Sequence, residues 1–272
     1  MPNVYNSTIS LQVTRTSDNE LLAETTLLST DTEAVGWIVT DIKELKIKDC
    51  HYALYRTGQG NTRIFSVPEL QGAEAYFNAG SVLKQALGTE AGREIPRELI
   101  SECIRGAIQA ESFFFTERGY ADAAAYDAYW DKMYKDSCRL YSHLDRMDQP
   151  WMEYIGYTRR DYNLFNRIKS VVVYHEDYHD LIQANFIDSF HELGLKLRLD
   201  HDSLVIEAQG NFVRAPQEIC YENSGHLKGF IGLNLAAMSK RDIAALAGGS
   251  EGCNHLVDLL YEAAKAAARI AR

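Results

Sequence analysis

Apolar and polar residues alternate through residues 7–56, the two-residue period of a half-buried β-strand. Ile9, Leu11 and Val13 share one side, and Ser17-Asp18-Asn19-Glu20 supplies a turn. The alternation resumes over 21–28, 36–41 and 44–49, so four strands are expected before Gly58-Gln59-Gly60-Asn61 breaks the pattern. The period then lengthens. Helices are expected over 81–87 and 95–115, the second with Pro96 in its first turn and Leu99, Ile100, Cys103, Ile104 and Ile108 on one face. Residues 120–148 form a third helical block, in which Tyr126, Trp130 and Tyr134 recur every four residues and read as a packing face. Gln149-Pro150 ends it, and 151–162 read as connection.

Strand alternation returns over 168–174 and 181–187, on either side of a polar turn at His175-Glu176-Asp177-Tyr178. Two more strands are expected over 194–199 and 204–207, closed by Ala215-Pro216. A short apolar segment follows at 227–233, and Ser239 is placed to cap a helix running to Leu246. Gly248-Gly249-Ser250-Glu251-Gly252 then opens onto a last, alanine-rich helix.

The two halves repeat one order. A shift of 159 places Ile9 on Ile168, Val13 on Val172, Leu22 on Leu181 and Asp41 on Asp200. At slightly smaller shifts Pro68 falls on Pro216 and Cys103 on Cys253. The pattern predicts an α+β protein with an internally duplicated module of about four antiparallel strands followed by helices. The first module covers 1–118, a helical connector 119–162 and the second module 163–272. In this register His191 falls opposite Thr32, Cys220 opposite Gly72 and His255 opposite Arg105. The second module therefore concentrates the chemistry, and the first reads as a degenerate copy with a structural or partner-binding role.

Net charge narrows the partners. At −10 the chain repels polyanions, which argues against nucleic acid and anionic membranes. No apolar run reaches the roughly 20 residues of a membrane helix. Met1-Pro2-Asn3-Val4-Tyr5-Asn6 lacks the basic region and apolar core of a signal peptide. Five cysteines, an odd number without a C-x-x-C pair, point to a reducing cytoplasm rather than a disulfide framework. A small-molecule or protein partner, and a homo-oligomer, stay open.

The densest chemistry lies in Gly252-Cys253-Asn254-His255-Leu256, at a helix start. Unpaired N–H groups and the helix dipole favour negative charge there, so a thiolate at Cys253 is expected to be stabilised. His191, Cys220, Cys253 and His255 together offer two thiols and two imidazoles, donors that suit zinc, iron or an iron–sulfur cluster. Cys253 and His255 can share one ion only if Cys253 lies at or before the N-cap, because residues two apart on a helix point apart. Metal or iron–sulfur binding, in a redox, Lewis-acid or metal-handling role, is the leading expectation.

A metal-free enzyme for acyl or thioester transfer is the second expectation. Cys253 would be its nucleophile, His255 or His191 its base, and the glycine-loop N–H groups its oxyanion hole. The third is a non-catalytic module for a ligand or partner, with Cys220 and Cys253 simply buried. His175 and His179, in a turn dense with carboxylates, are expected to be solvated, and Arg159-Arg160 to be a surface pair.

Taken in order, Asp188, His191-Glu192-Leu193, Pro216 with Cys220, the step from Gly229 to Leu233 and the closing Gly252-Cys253-Asn254-His255-Leu256 resemble a bacterial family. It is number 2889 in the series of domains of unknown function. The resemblance covers about residues 164–272, and the closing motif with its glycines is its most specific part. It implies the strands-then-helix order already read and supplies no activity. The first module departs from it at the His and Cys positions.

Overall fold

The computed structural model describes residues 2–56, 63–88, 94–156 and 160–271; the expected break at Gly58-Gln59-Gly60-Asn61, and Arg159, lie outside them. It is a mixed chain of antiparallel strands and helices that divides into two compact units. The first unit holds Thr8–Tyr126 and Tyr157–Arg167; the second holds Met1–Ser7, Asp127–Gly156 and Ile168–Arg272. Among the described residues no helix is long and apolar enough to cross a membrane.

In the first unit β1 (Asn3–Ser17), β2 (Glu20–Ser29), β3 (Glu33–Asp41), β4 (Ile47–Arg56) and β5 (Arg63–Ser66) follow one another across the sheet. Two helices, α1 (Ala79–Leu87) and α2 (Glu94–Ala110), come after them. The expected apolar face of α2 is buried. Glycines let that helix lie close to the strands. A Cβ at Gly36 would stand 2.8 Å from Leu99 Cβ, and one at Gly106 would stand 2.8 Å from Leu11 Cδ2.

The second unit contains α3 (Ala123–Met133) from Asp127 onward, α4 (Arg139–Ser142) and α5 (Trp151–Tyr154), then β6 (Asn163–His175) from Ile168 onward, β7 (Asp180–Asp188), β8 (Glu192–Leu199) and β9 (Val205–Arg214). These four strands are neighbours in chain order. A 3-10 helical stretch, Glu218–Phe230, leads to α6 (Lys240–Ala247) and α7 (Asn254–Ile270). Ser239 caps α6 in a reciprocal box with Asp242. One face of α7, Leu256, Leu259, Leu260, Ala263, Ala266 and Ala267, shares a core with Ile182, Ala184, Phe186, Leu195 and Leu197. Each large apolar side chain so buried contributes about 1.5–3 kcal/mol.

Several elements differ from the sequence reading: β5 is a fifth strand where four were expected, α5 lies within the 151–162 connection, and α2 ends at Ala110 rather than 115. The fourth strand begins at Ile47, not residue 44, because the Asp41 carboxylate takes the N–H groups of Glu44 (2.6 Å) and Lys46 (2.9 Å) and holds Leu45 at φ 53°. β9 continues to Arg214 rather than stopping at 207. Within the added length Gly210 pairs with Leu195, and a Cβ there would meet Gly194 O at 2.6 Å. The block 120–148 is not continuous: Asp136 at φ 62° and extended Cys138 separate α3 from α4. Its aromatic stripe does pack, with Tyr126 and Trp130 both buried.

A backbone ladder recurs in both units. In the first, Gly72 N–H donates to Ile47 O (2.8 Å), Ile47 N–H to Ala73 O (2.8 Å) and Ala75 N–H to Leu45 O (2.8 Å). In the second, Gly232 N–H donates to Val205 O (2.8 Å), Val205 N–H to Leu233 O (2.9 Å) and Leu235 N–H to Ser203 O (3.0 Å). Gly72 and Gly232 share positive φ (79° and 86°), as do Leu45 and Ser203 (53° and 62°). Gly72 and Gly232 thus sit in similar local bonding. Helices α2 and α7 both run 17 residues. Pro68 opens a 3-10 turn that ends at Leu70, whereas the stretch after Pro216 runs on to Phe230.

Candidate functional site

Three residues join β7 to β8, and Asp188 organises them. Its N–H donates to His191 O (2.8 Å), and its Oδ1 accepts the N–H groups of Phe190 (2.8 Å) and His191 (2.7 Å). Such self-bonding is what an Asp side chain does in a tight turn. Arg214, at the end of β9, fastens the turn from outside. Its guanidinium donates to Ser189 O (2.9 Å), Asp188 O (2.7 Å) and His191 O (3.4 Å). Tyr154 on α5 donates its hydroxyl to Phe190 O (2.6 Å). With the carbonyls held, the Asp188 and His191 side chains have little freedom, and both are buried.

His255 arrives on the first turn of α7. Cys253 is the N-cap in an extended conformation, and its N–H donates to Ala247 O at 2.8 Å. Only glycine fits at 252, where a Cβ would stand 2.2 Å from that same Ala247 O. The helix start is therefore fixed, and His255 with it. The His255 ring meets Phe186 edge-on (5.1 Å between centroids) and lies over His191 (3.9 Å, 32° between planes).

Asp188, His191 and His255 each bring one donor atom to within 4.8 Å of the other two. Donors around one ion at about 2.1 Å lie no more than about 4.2 Å apart, so small side-chain rotations close the remaining gap. His191 Nδ1 stands 3.2 Å from Asp188 Oδ1.

The thiols behave otherwise. Cys253 Sγ stands 3.9 Å from His255 Nδ1, but neither Cys253 nor Cys220 joins the three-donor group. Burial pushes the thiols of Cys220 and Cys253 up to about 12. For Cys253 the N–H groups of Leu256 and His255 pull downward, and burial outweighs them. The stabilised thiolate expected from the helix start is thus reversed in direction. His175 takes no part either; its Nδ1 faces Asp180 at 2.8 Å in a half-exposed turn.

Asp188 as a donor and Arg214 as a clamp were not singled out from the sequence. Their signal was Asp-x-x-His between two alternating segments, with an Arg closing the next strand. The first unit carries the same clamp without the donors. Ser29 N–H donates to Thr32 O (2.7 Å), Thr32 N–H to Ser29 Oγ (3.0 Å), and Arg56 donates to Thr30 O and Ser29 O (both 2.8 Å).

Residues 165–269 match the model of a family described as protein of unknown function (DUF2889). That stretch contains Asp188, His191, Arg214, Cys220, Cys253 and His255. No curated protein and no solved structure matches the chain.

Proposed function

We propose that the second unit binds one divalent transition-metal ion through Asp188, His191 and His255. The observation that carries this reading is the approach of three donor atoms, from two separate segments, to within 4.8 Å in a largely buried place. An ionised carboxylate has about four acceptor sites, so Asp188 can meet a cation beside the two N–H groups it already accepts. Two imidazoles and one carboxylate suit zinc, iron(II) or manganese(II), and three protein donors leave positions for water or substrate. The role that follows is Lewis-acid or redox chemistry rather than a closed structural site. The group holds no sulfur, which favours a single ion over an iron–sulfur cluster. A metal-free thiol enzyme would need a lowered thiol, and burial works against one at Cys253.

We also infer that the units are two copies of one module. The support is the shared ladder at Gly72 and Gly232, the matched clamps of Arg56 and Arg214, and the equal lengths of α2 and α7. On that reading the first copy is an internal control for the second. Ser29, Thr32 and Ile95 stand where the second copy has Asp188, His191 and His255.

The test is metal analysis of protein purified without chelator and then supplied in turn with zinc, iron(II) and manganese(II). Wild type is expected to hold about one equivalent of one of them, and His255→Ala less than about a tenth, with both chains equally folded. Equal metal content in the two, or none in either, contradicts the proposal.

A further inference from the structure

The sheet of the first unit is packed on one side and shows apolar side chains to solvent on the other. A Cβ at Gly36 would meet Leu99 of α2, and Thr25 Oγ1 stands 3.2 Å from Cys103 Sγ on the same helix, so both positions face inward. Alternation then turns Glu24 and Thr26 on β2, and Val35, Trp37 and Val39 on β3, to the outer side. The register places Trp37 between Glu24 and His51, and continues the row of Thr26, Val35 and Ala53 into Ile64. The Trp37 and His51 rings stack at 5.2 Å between centroids. On this side Ile64, Leu28 and Tyr55 are 64%, 52% and 43% exposed. The outer rows of the second unit are polar instead: Gln183, Lys196 and Gln209 in one, and Asn185 and Asn211 flanking Gly194 in the next. Polar rows suit a sheet face left in water, whereas the rows around Trp37 suit a covered one.

We propose that a second copy of the chain covers this face, outer sheet against outer sheet, about a two-fold axis parallel to β3. The inference does not rest on the metal at Asp188. Charge selects both the occupant and the axis. Glu24 and His51 stand on opposite sides of Trp37, so a two-fold along the strands sets each Glu24 over the His51 of the other copy, with Trp37 on Trp37 at the centre. A two-fold across the strands would set Glu24 against Glu24. Asp49 Oδ2, 3.2 Å from His51 Nδ1, orients the imidazole in the strand row beside Trp37. Val35 and Val39 fall on their own counterparts, as the inner rows of a sandwich do. Strands β2 to β5, at about 4.8 Å between strands and about 3.4 Å per residue, offer about 540 Å² per copy. Two copies give about 1,100 Å², just above what a specific interface needs, so the dimer is reversible and its dissociation constant micromolar. The unit without the metal donors thus serves association.

The experiment is analytical ultracentrifugation of the reduced full-length chain from about 1 to about 100 μM. Wild type is expected to pass from monomer to dimer across that range. Trp37→Lys removes the centre of the interface and should stay monomeric throughout. Ile64→Lys and Glu24→Lys, at exposed positions where folding is not at stake, should each weaken the dimer by about 10-fold or more. Lys196→Glu, on the outer face of the second unit, should leave it unchanged. A wild-type chain that stays monomeric at the highest concentration overturns the proposal and leaves the face to a different protein. A dimer that survives Trp37→Lys and Ile64→Lys, or that Lys196→Glu dissolves, overturns it by placing the interface elsewhere.

Discussion

The turn from β2 to β3 and the turn from β7 to β8 are built with the same bonds. In each, the first residue donates its N–H to the carbonyl three residues on, its side-chain oxygen takes the N–H of that later residue, and an arginine at the end of a following strand grips the carbonyls. The first turn does this with Ser29 and Thr32, the second with Asp188 and His191. A serine hydroxyl therefore suffices to fold the turn. The second turn carries in addition a buried carboxylate and imidazole, paired with each other at 3.2 Å, and sets them against a third polar side chain from α7. The excess over what folding needs is the argument for function.

The comparison can be broken most sharply at the start of α7. Gly252→Ala places a Cβ 2.2 Å from Ala247 O, and a loss of about 3 kcal/mol or more in denaturant unfolding is expected. A neutral result would mean that the helix start, and with it His255, is not fixed as described. Next in size are the clamps. Arg56→Ala and Arg214→Ala each remove charge-assisted bonds to backbone carbonyls, at about 2 kcal/mol apiece. Only Arg214→Ala should also weaken metal binding, by about 10-fold or more, since it frees the turn that holds Asp188 and His191. Equal effects of the two on metal affinity would remove the functional distinction between the turns.

Smaller still are the paired glycines. Gly72 and Gly232 have open space where an added methyl group would stand but positive φ, so alanine should cost about 1–2 kcal/mol at each. Similar losses sharpen the equivalence of the two ladders; a large loss at one alone blurs it. The smallest effect lies outside both turns. Burial raises the Asp127 carboxyl to about 6. A raised carboxyl binds its proton more tightly in the folded chain, so its contribution is full below about pH 4 and is lost as pH rises through about 6. Asp127→Asn, whose Oδ1 can still accept the Met152 N–H, should flatten the decline of the unfolding midpoint across that window. An unchanged pH profile would place the titration elsewhere.

Periodicity carried the strands and the last helix, because buried faces impose it: Ile9, Leu11 and Val13, and the apolar stripe of α7, lie where alternation and helical spacing put them. It failed where local bonds override it. Asp41 turned the start of an apparent strand into a turn, and Gly210 packs closely within a strand that runs on past 207. The donors were only half readable. His191 and His255 carried a chemical signal of their own, whereas Asp188 resembled ordinary turn chemistry until His255 was seen against His191.

The most direct measurement makes the second turn chemically equal to the first. The double variant Asp188→Ser with His191→Thr retains the bonding groups that Ser29 and Thr32 use, and it should fold with an unfolding midpoint close to wild type. Metal titration by calorimetry is expected to show affinity reduced by about 100-fold or more, the loss of two of three donors. Wild-type affinity in that folded variant would contradict a metal site at Asp188, His191 and His255.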